Sequence, residues 1–330
     1  MPAAGRAYSL HGLHLAVTGW GEAVDALHAR LARLERIETE IDGCAPDLEL
    51  EMVGAPDGGP LPDLERPANG RPVYDPPDGA VLYEDAADRL YLELGPRLRA
   101  VCEPGRGRAR LDCAGAEGGD LWMLSHPLVT LPLVELLKRR GLYSLHAGGL
   151  CRDGRGLVLP GTSGAGKSTL TLALVRAGFG FLGDDTLFLA RRPEGLRLLA
   201  FPDEVDLTEQ TVAFFPELAR YLTAPRPGWR KRQLRAEEAY GAEVVWECAP
   251  GHLVFPRVAG REESRLFPLE AGEALLELAP NVLLTEPVSS QAHLDALAEL
   301  ANASTCWRLE TGRDLDGAVR LLARLFEGSP

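Results

Sequence analysis

Gly161-Thr162-Ser163-Gly164-Ala165-Gly166-Lys167-Ser168 is the stretch on which the reading of this chain turns. It fits G-x-x-x-x-G-K-[ST] at every defined position, and Gly164 adds a further point of backbone freedom. Leu157-Val158-Leu159 before it reads as a strand, and Thr169 to Ala177 after it as a helix closed by Gly178. Each residue type has a physical task. Glycines let successive N–H groups converge on phosphate oxygens, and the helix N-terminus adds the positive end of its dipole. Lys167 is expected to reach β/γ-phosphates and Ser168 to ligate Mg²⁺. A glycine turn can match such a pattern by accident, but strand, loop and helix in that order argue for nucleotide binding, and ATP and Mg²⁺ are the expected cofactors. The expected nucleotide contacts are Gly161, Thr162, Ser163, Gly164, Ala165, Gly166, Lys167, Ser168 and Thr169.

Downstream, Phe179 to Leu182 reads as the next strand, and Asp184-Asp185 follows it where a strand alongside the phosphate loop would end near a γ-phosphate. One carboxylate can hold Mg²⁺ while the other accepts a hydroxyl proton. The expected metal set is Ser168, Asp184 and Asp185. Gly-Asp-Asp is also ordinary turn chemistry, so the position carries the argument rather than the composition. Further strands are expected at Thr186 to Ala190 and Leu196 to Phe201.

Upstream, Tyr143 to Cys151 and Gly156 to Pro160 are apolar runs joined by Arg152-Asp153-Gly154-Arg155, a strong hairpin signal. With this, Leu145-His146-Ala147-Gly148 through Phe181-Leu182-Gly183-Asp184-Asp185 resembles the catalytic core of the HPr kinase/phosphorylase superfamily, whose P-loop domain is related to phosphoenolpyruvate carboxykinase. A His lies 21 residues before the loop Lys (146 to 167), a hairpin feeds the loop, and an acidic pair begins 17 residues after the Lys (167 to 184). The resemblance implies an acid/base pair beside the γ-phosphate, falling on His146 and Asp184, with Lys167 completing the catalytic set. Without it, His146 reads as a packed strand histidine. It spans about residues 143 to 190 strongly and continues weakly to about 285. It is similar to the diverged HPr-kinase-like proteins of peptide-modification settings rather than to HPr kinase itself, because the N-terminal segment and the phosphorylase signature do not match.

The expected fold class is therefore α/β: a P-loop core of that type over residues 143–330, with a smaller α+β N-terminal domain over 1–118 and a connecting helical segment over 119–142. The N-terminal expectation rests on a strand at Leu13 to Thr18 and a helix with Val24, Leu27, Leu31 and Leu34 on one face. A Pro- and Gly-dense loop follows from Pro56 to Pro77. Two hairpins come next, Val81 to Tyr83 with Leu90 to Leu94, and Leu98 to Cys102 with Ala109 to Cys113. Leu121 to Arg140 reads as a buried helix interrupted by Pro127 and Pro132. At the other end, helices are expected at Ser290 to Asn302 and Leu315 to Glu327, the second opened by Thr311-Gly312-Arg313-Asp314. No internal repeat is visible.

Composition bounds the partners. Across 330 residues, 35 Lys+Arg against 48 Asp+Glu give a net charge of −13 and a pI near 5.1, which argues against a nucleic-acid or anionic-membrane surface. Any anion must be held by a local site. The six cysteines, Cys44, Cys102, Cys113, Cys151, Cys248 and Cys306, make no C-x-x-C pair, and neither a zinc knuckle nor a disulfide framework is indicated. Cys151 and His126 read as structural. Met1 to Gly12 has no cationic region followed by an apolar run, and no stretch approaches a membrane span, so a cytoplasmic protein is expected.

The function these features imply is a Mg-ATP-dependent kinase acting on a hydroxyl, a Ser of a peptide or protein or a small-molecule alcohol. Two alternatives stay open: a nucleotide-binding regulator with little catalysis, and a carboxykinase-type phosphoryl enzyme. Homo-oligomerisation is left open as well. Two further segments are candidates. Phe201-Pro202-Asp203-Glu204-Val205-Asp206 can bring a carboxylate to Mg²⁺ or be a solvated loop. Gly228-Trp229-Arg230-Lys231-Arg232, the densest cationic cluster, can meet phosphates or be a solvated charged loop.

Overall fold

A computed structural model describes residues 5–19, 21–37, 45–55, 66–74, 79–114, 128–201, 203–224 and 231–327. Cys44, His126, Pro127, Arg230 and most of the Pro- and Gly-dense stretch after Pro56 lie outside these. The chain divides into two compact units, Met1–Gly141 with Leu284–Ser290, and Leu142–Leu283 with Gln291–Pro330. The segment at Val129–Lys138, expected to connect two domains, is thus part of the first unit.

In the first unit the strands are β1 (Arg6–Leu10), β2 (Leu13–Gly19), β3 (Glu35–Ile37), β4 (Leu48–Ala55), β5 (Arg71–Tyr74), β6 (Gly79–Glu84), β7 (Arg89–Leu94), β8 (Leu98–Glu103) and β9 (Arg108–Ala114). Among the described residues they form one sheet in the order β3-β1-β2-β4-β9-β8-β7-β6-β5. Both hairpins expected from sequence are present, β6 with β7 and β8 with β9. Helix α1 (Glu22–Arg30) carries Val24 and Leu27 into the core, and Leu31 follows in a 3₁₀ turn. Helix α2 (Val129–Lys138) is the described part of the expected helix, whose stretch 121–127 lies outside the described residues, and Pro132 lies inside it. Its far end carries a buried ion pair: Lys138 Nζ donates to Glu135 Oε1 at 2.9 Å and to Thr285 Oγ1 at 3.0 Å. Burial raises the Glu135 pKa, with the Lys138 charge opposing it.

The second unit is a mixed α/β arrangement. It runs through β10 (Tyr143–Leu145), β11 (Ala147–Arg152), β12 (Arg155–Pro160), α3 (Lys167–Arg176), β13 (Gly180–Gly183), β14 (Leu187–Arg192) and β15 (Gly195–Ala200). It continues with β16 (Val205–Thr208), α4 (Glu209–Val212), β17 (Lys231–Leu234), α5 (Ala236–Tyr240), β18 (Glu247–Val258) and β19 (Arg265–Leu269). Helix α6 (Ala271–Leu278), α7 (Pro287–Ala303), β20 (Thr305–Thr311) and α8 (Leu315–Arg324) complete it, α7 giving its first turn to the first unit. The sheet order is β10-β14-β15-β18-β12-β11-β13, with β20 on β18 and β19 on β20, and β16 pairs with β17 apart from it. The expected hairpin is β11–β12, and its turn residues Asp153 and Gly154 have φ of 52° and 74°, the two positive values of a type I′ turn. The apolar run Tyr143 to Cys151, which reads as one strand, is two, parted at His146, and they pair with different neighbours, β10 with β14 and β11 with β12.

Side-chain alternation builds a layer on each face of this sheet. Val158, Leu253, Phe255 and Leu182 pack with Leu278, Leu297 and Leu300 from α6 and α7. Leu157, Leu159, Val254 and Phe181 pack with Leu170, Leu174, Ala318 and Leu322 from α3 and α8. The long central strand β18 and strand β20 are absent from the sequence expectations; in β18, Pro250, Gly251 and Pro256 break the strand pattern. Asp314 caps α8 through its side chain, which accepts from Gly317 N at 2.8 Å, as its position before that helix suggests. No helix among the described residues is long and apolar enough to cross a membrane.

The buried pair on α2 makes a stability prediction. Lys138→Met strands an uncompensated carboxylate at Glu135 and should cost about 3–5 kcal/mol, whereas Lys138→Met with Glu135→Leu should recover most of the loss. Urea unfolding of the three proteins decides it; a single mutant as stable as wild type would mean that the pair carries no charge.

Candidate active site

Strand direction gathers the candidate residues. β11 is antiparallel to both β12 and β13, so those two point the same way, and β18 and β20 run parallel to β12. The glycine-rich loop after β12, the acidic pair after β13, Val258 ending β18 and Thr311 ending β20 therefore share the carboxyl edge of one sheet, where open α/β sheets bind ligands. His146, just before β11, reaches the same edge because β11 runs the opposite way. The acidic strand does not lie beside β12, as the sequence suggests; β11 stands between.

A cavity of about 550 Å³ opens at this edge. The loop residues Thr162, Ser163, Gly164, Gly166, Lys167, Ser168 and Thr169 line it, and His146, Asp185, Asp206 and Lys231 face it from other segments. Gly164 and Gly166 have φ of 85° and 93°, backbone that side-chain-bearing residues rarely adopt, and Gly166 is the N-cap of α3. The first-turn N–H groups of α3 are thereby placed to meet an anion. Thr169 Oγ1 lies 3.3 Å from Thr211 Oγ1, which ties the helix start to α4.

Lys167 is buried, with Nζ donating to Gly161 O at 2.6 Å and lying 3.1 Å from His146 Nε2. Burial lowers its pKa, with Asp185 and Asp184 opposing. The tautomer of His146 follows from these contacts. An ammonium only donates, so Nε2 must accept; Nδ1, 2.9 Å from the Asp185 carbonyl oxygen, must carry the proton. A neutral ring agrees with a pKa pushed down by partial burial and by Lys167, against the Asp185 carboxylate at 3.8 Å.

The acidic pair splits. Asp185 is open to the cavity, its side chain 61% exposed. Asp184 is 3% exposed, and burial, with Asp185 beside it, pushes its pKa up to about 7. The Ser168 and Thr171 hydroxyls and Lys167 oppose that shift. Asp184 Oδ1 nonetheless makes no hydrogen bond of good geometry. A buried carboxylate oxygen left open beside the Ser168 hydroxyl fits a hard divalent cation, and so few protein oxygens suit Mg²⁺, which keeps several waters and phosphate oxygens. Among the described residues no group of three or more His, Cys, Asp or Glu forms a metal cage.

Two residues of the weaker sequence candidates also belong here. Asp206 on β16 has its pKa raised by burial and accepts from Gln233 Nε2 at 3.0 Å. Lys231 on β17 stands 3.9 Å from Asp206, too far for a tight pair, and turns a second cation toward the cavity. Arg232 is turned elsewhere, donating to Thr223 O at 3.0 Å. Cys151 is buried and outside the cavity. Asn281, which is not among the sequence candidates, holds Gly161 N through Oδ1 at 3.0 Å and accepts from His146 N at 2.9 Å. No local signal marks it: 120 residues separate Asn281 from Gly161, and only the fold brings them together.

No protein-family model matches the chain, and no curated protein matches it. Among solved structures, the HPr(Ser) kinase/phosphatase from Coxiella burnetii is similar over 55% of this chain and 88% of its own, at 15% identity and a TM-score of 0.31. A likeness at that score is a distant structural relationship and carries no functional argument.

The elevated Asp184 pKa has a sign that can be tested. The folded chain keeps a proton up to about pH 7 that an unfolded Asp loses near 3.9, so stability falls as pH rises between those values. In chelator, Asp184→Asn should be more stable than wild type at pH 8, with the gap closing toward pH 4. Urea midpoints at pH 5, 6.5 and 8 check this, and a gap independent of pH would refute it.

Proposed function

We propose that this chain is a Mg-ATP-dependent kinase that transfers the γ-phosphoryl group to a hydroxyl, the acceptor being a Ser of a peptide or protein or a small-molecule alcohol. The observation that carries the reading is the convergence of a glycine-rich loop, Lys167, His146 and Asp185 on one cavity. A phosphate cradle alone serves binding; a carboxylate and a neutral imidazole facing the same space serve proton transfer as well.

Bound Mg-ATP supplies the phosphoryl group and the divalent charge. The loop N–H groups and Lys167 take the phosphates, which requires the Lys167 ammonium to leave the Gly161 carbonyl. The division of labour within the acidic pair follows access. A general base must come within hydrogen-bond reach of the acceptor hydroxyl. Asp185 meets that condition and Asp184, walled off beside Ser168, does not. In this reading Asp185 takes the hydroxyl proton, His146 orients it through the Asp185 main chain, and Ser168 with Asp184 holds the metal. That reverses the roles expected from the sequence resemblance for the two aspartates. Lys231 adds positive charge on the acceptor side, where the transferred group gathers negative charge.

Lys167→Ala should abolish turnover and weaken Mg-ATP binding while leaving the melting temperature nearly unchanged. Calorimetric titration with ATP measures it, and unchanged binding together with unchanged turnover would make the loop decorative.

With γ-labelled ATP and Ser-containing peptides or a metabolite pool as acceptors, Asp185→Asn should lower transfer by about 10² to 10⁴ at retained nucleotide affinity. Asp184→Asn should instead raise the Mg²⁺ concentration needed for binding. The opposite pattern returns the base to Asp184. A wild type that binds Mg-ATP but labels nothing supports a regulator.

A further inference from the structure

We infer that Asn281 is a positioning residue that holds the glycine-rich loop and His146 in one fixed relation; the inference rests on the phosphotransfer reading of the cavity. Asn281 ends the short 3₁₀ turn Ala279–Asn281 after α6 and is 6% exposed. Three of its polar groups are engaged. Oδ1 accepts from Gly161 N at 3.0 Å, the main-chain oxygen accepts from His146 N at 2.9 Å, and Nδ2 donates to Glu277 O at 2.8 Å. The amide cannot be turned over, because the Gly161 N–H only donates and the Glu277 carbonyl only accepts.

These bonds close a circuit. Asn281 holds Gly161; the Gly161 carbonyl accepts from Lys167; Lys167 donates to His146 Nε2; and the His146 N–H returns to Asn281. Lys167 must leave its two acceptors to reach a phosphate, so its own bonds cannot keep Gly161 and His146 in place during the reaction. The two bonds from Asn281 can. Asn281 does not line the cavity, so it acts through Gly161 and His146 rather than on the ligand.

The test compares wild type, Asn281→Ala and Asn281→Asp. The Asp variant keeps an acceptor at Oδ1 and the main-chain oxygen, and its second carboxyl oxygen, buried against the Glu277 carbonyl, has to carry a proton to keep that contact. Amide hydrogen exchange at Gly161 and His146, ring ¹⁵N shifts of His146 and calorimetric titration with Mg-ATP are the readouts. Asn281→Ala should speed exchange at Gly161 by about 10-fold or more, with the amides of Leu157 and Leu159 unchanged. The His146 amide and tautomer, held by a main-chain oxygen and by Lys167 and Asp185, should stay as in wild type, while Mg-ATP binding should weaken by about 10-fold. Asn281→Asp should restore Gly161 protection. A residue that merely fills space would leave Gly161 protection untouched, or would lose it equally in both variants, and either result overturns the proposal. Should Asn281→Ala fail to fold, loss of Gly161 protection in Asn281→Asp overturns it just as well. A wild type that binds no Mg-ATP defeats the phosphotransfer reading, while exchange at Gly161 still decides what Asn281 does.

Discussion

Four strands that end at one edge organise the second unit. Once β12, β13, β18 and β20 run in the same direction, the loops after them have to meet, and the chain needs no special device to bring residues near 161, 184, 258 and 311 together. The antiparallel strand β11 complements them, since its start, not its end, lies at that edge and delivers His146. The two apolar layers hold the sheet in shape, because these strands alternate their side chains between α6 with α7 on one face and α3 with α8 on the other.

Burial then sets the chemistry. Lys167 loses water and is pushed toward neutrality, Asp184 loses water and is pushed up to about 7, and each offsets part of the other's cost. The cluster is poised rather than satisfied: Asp184 Oδ1 makes no hydrogen bond of good geometry, and Lys167 is held by a carbonyl and a neutral imidazole instead of a carboxylate. In the proposed reaction, groups arranged this way exchange their present contacts for phosphate and metal. The buried Glu135–Lys138 pair of the first unit is the contrast, two charges that meet at 2.9 Å and do not line the cavity.

Local signals carried the loop, the hairpin before it and the cap of α8, because each depends on residues adjacent in the chain. Asp153-Gly154 needs positive φ at two successive positions, and Gly164 and Gly166 need it in the loop; short-range sterics impose these wherever the residues sit. The same locality explains the misses. β18 carries two prolines and a glycine within an interior strand, and its neighbours β15, β12 and β20 hold it extended.

The sequence by itself determined that a glycine-rich loop of the phosphate-binding pattern is present, that a hairpin feeds it and that an acidic pair follows, since spacing along the chain is enough for each. Tertiary structure alone decided which aspartate meets the cavity, which of Lys231 and Arg232 turns toward it, and that Asn281 joins the loop to His146. The physical reason is that adjacent side chains point to different sides, on β17 by strand alternation and at Asp184-Asp185 across a bend, so neighbours with the same chemistry are told apart only by what packs on each side. An asparagine 120 residues from its partner carries no trace of that bond in its own surroundings.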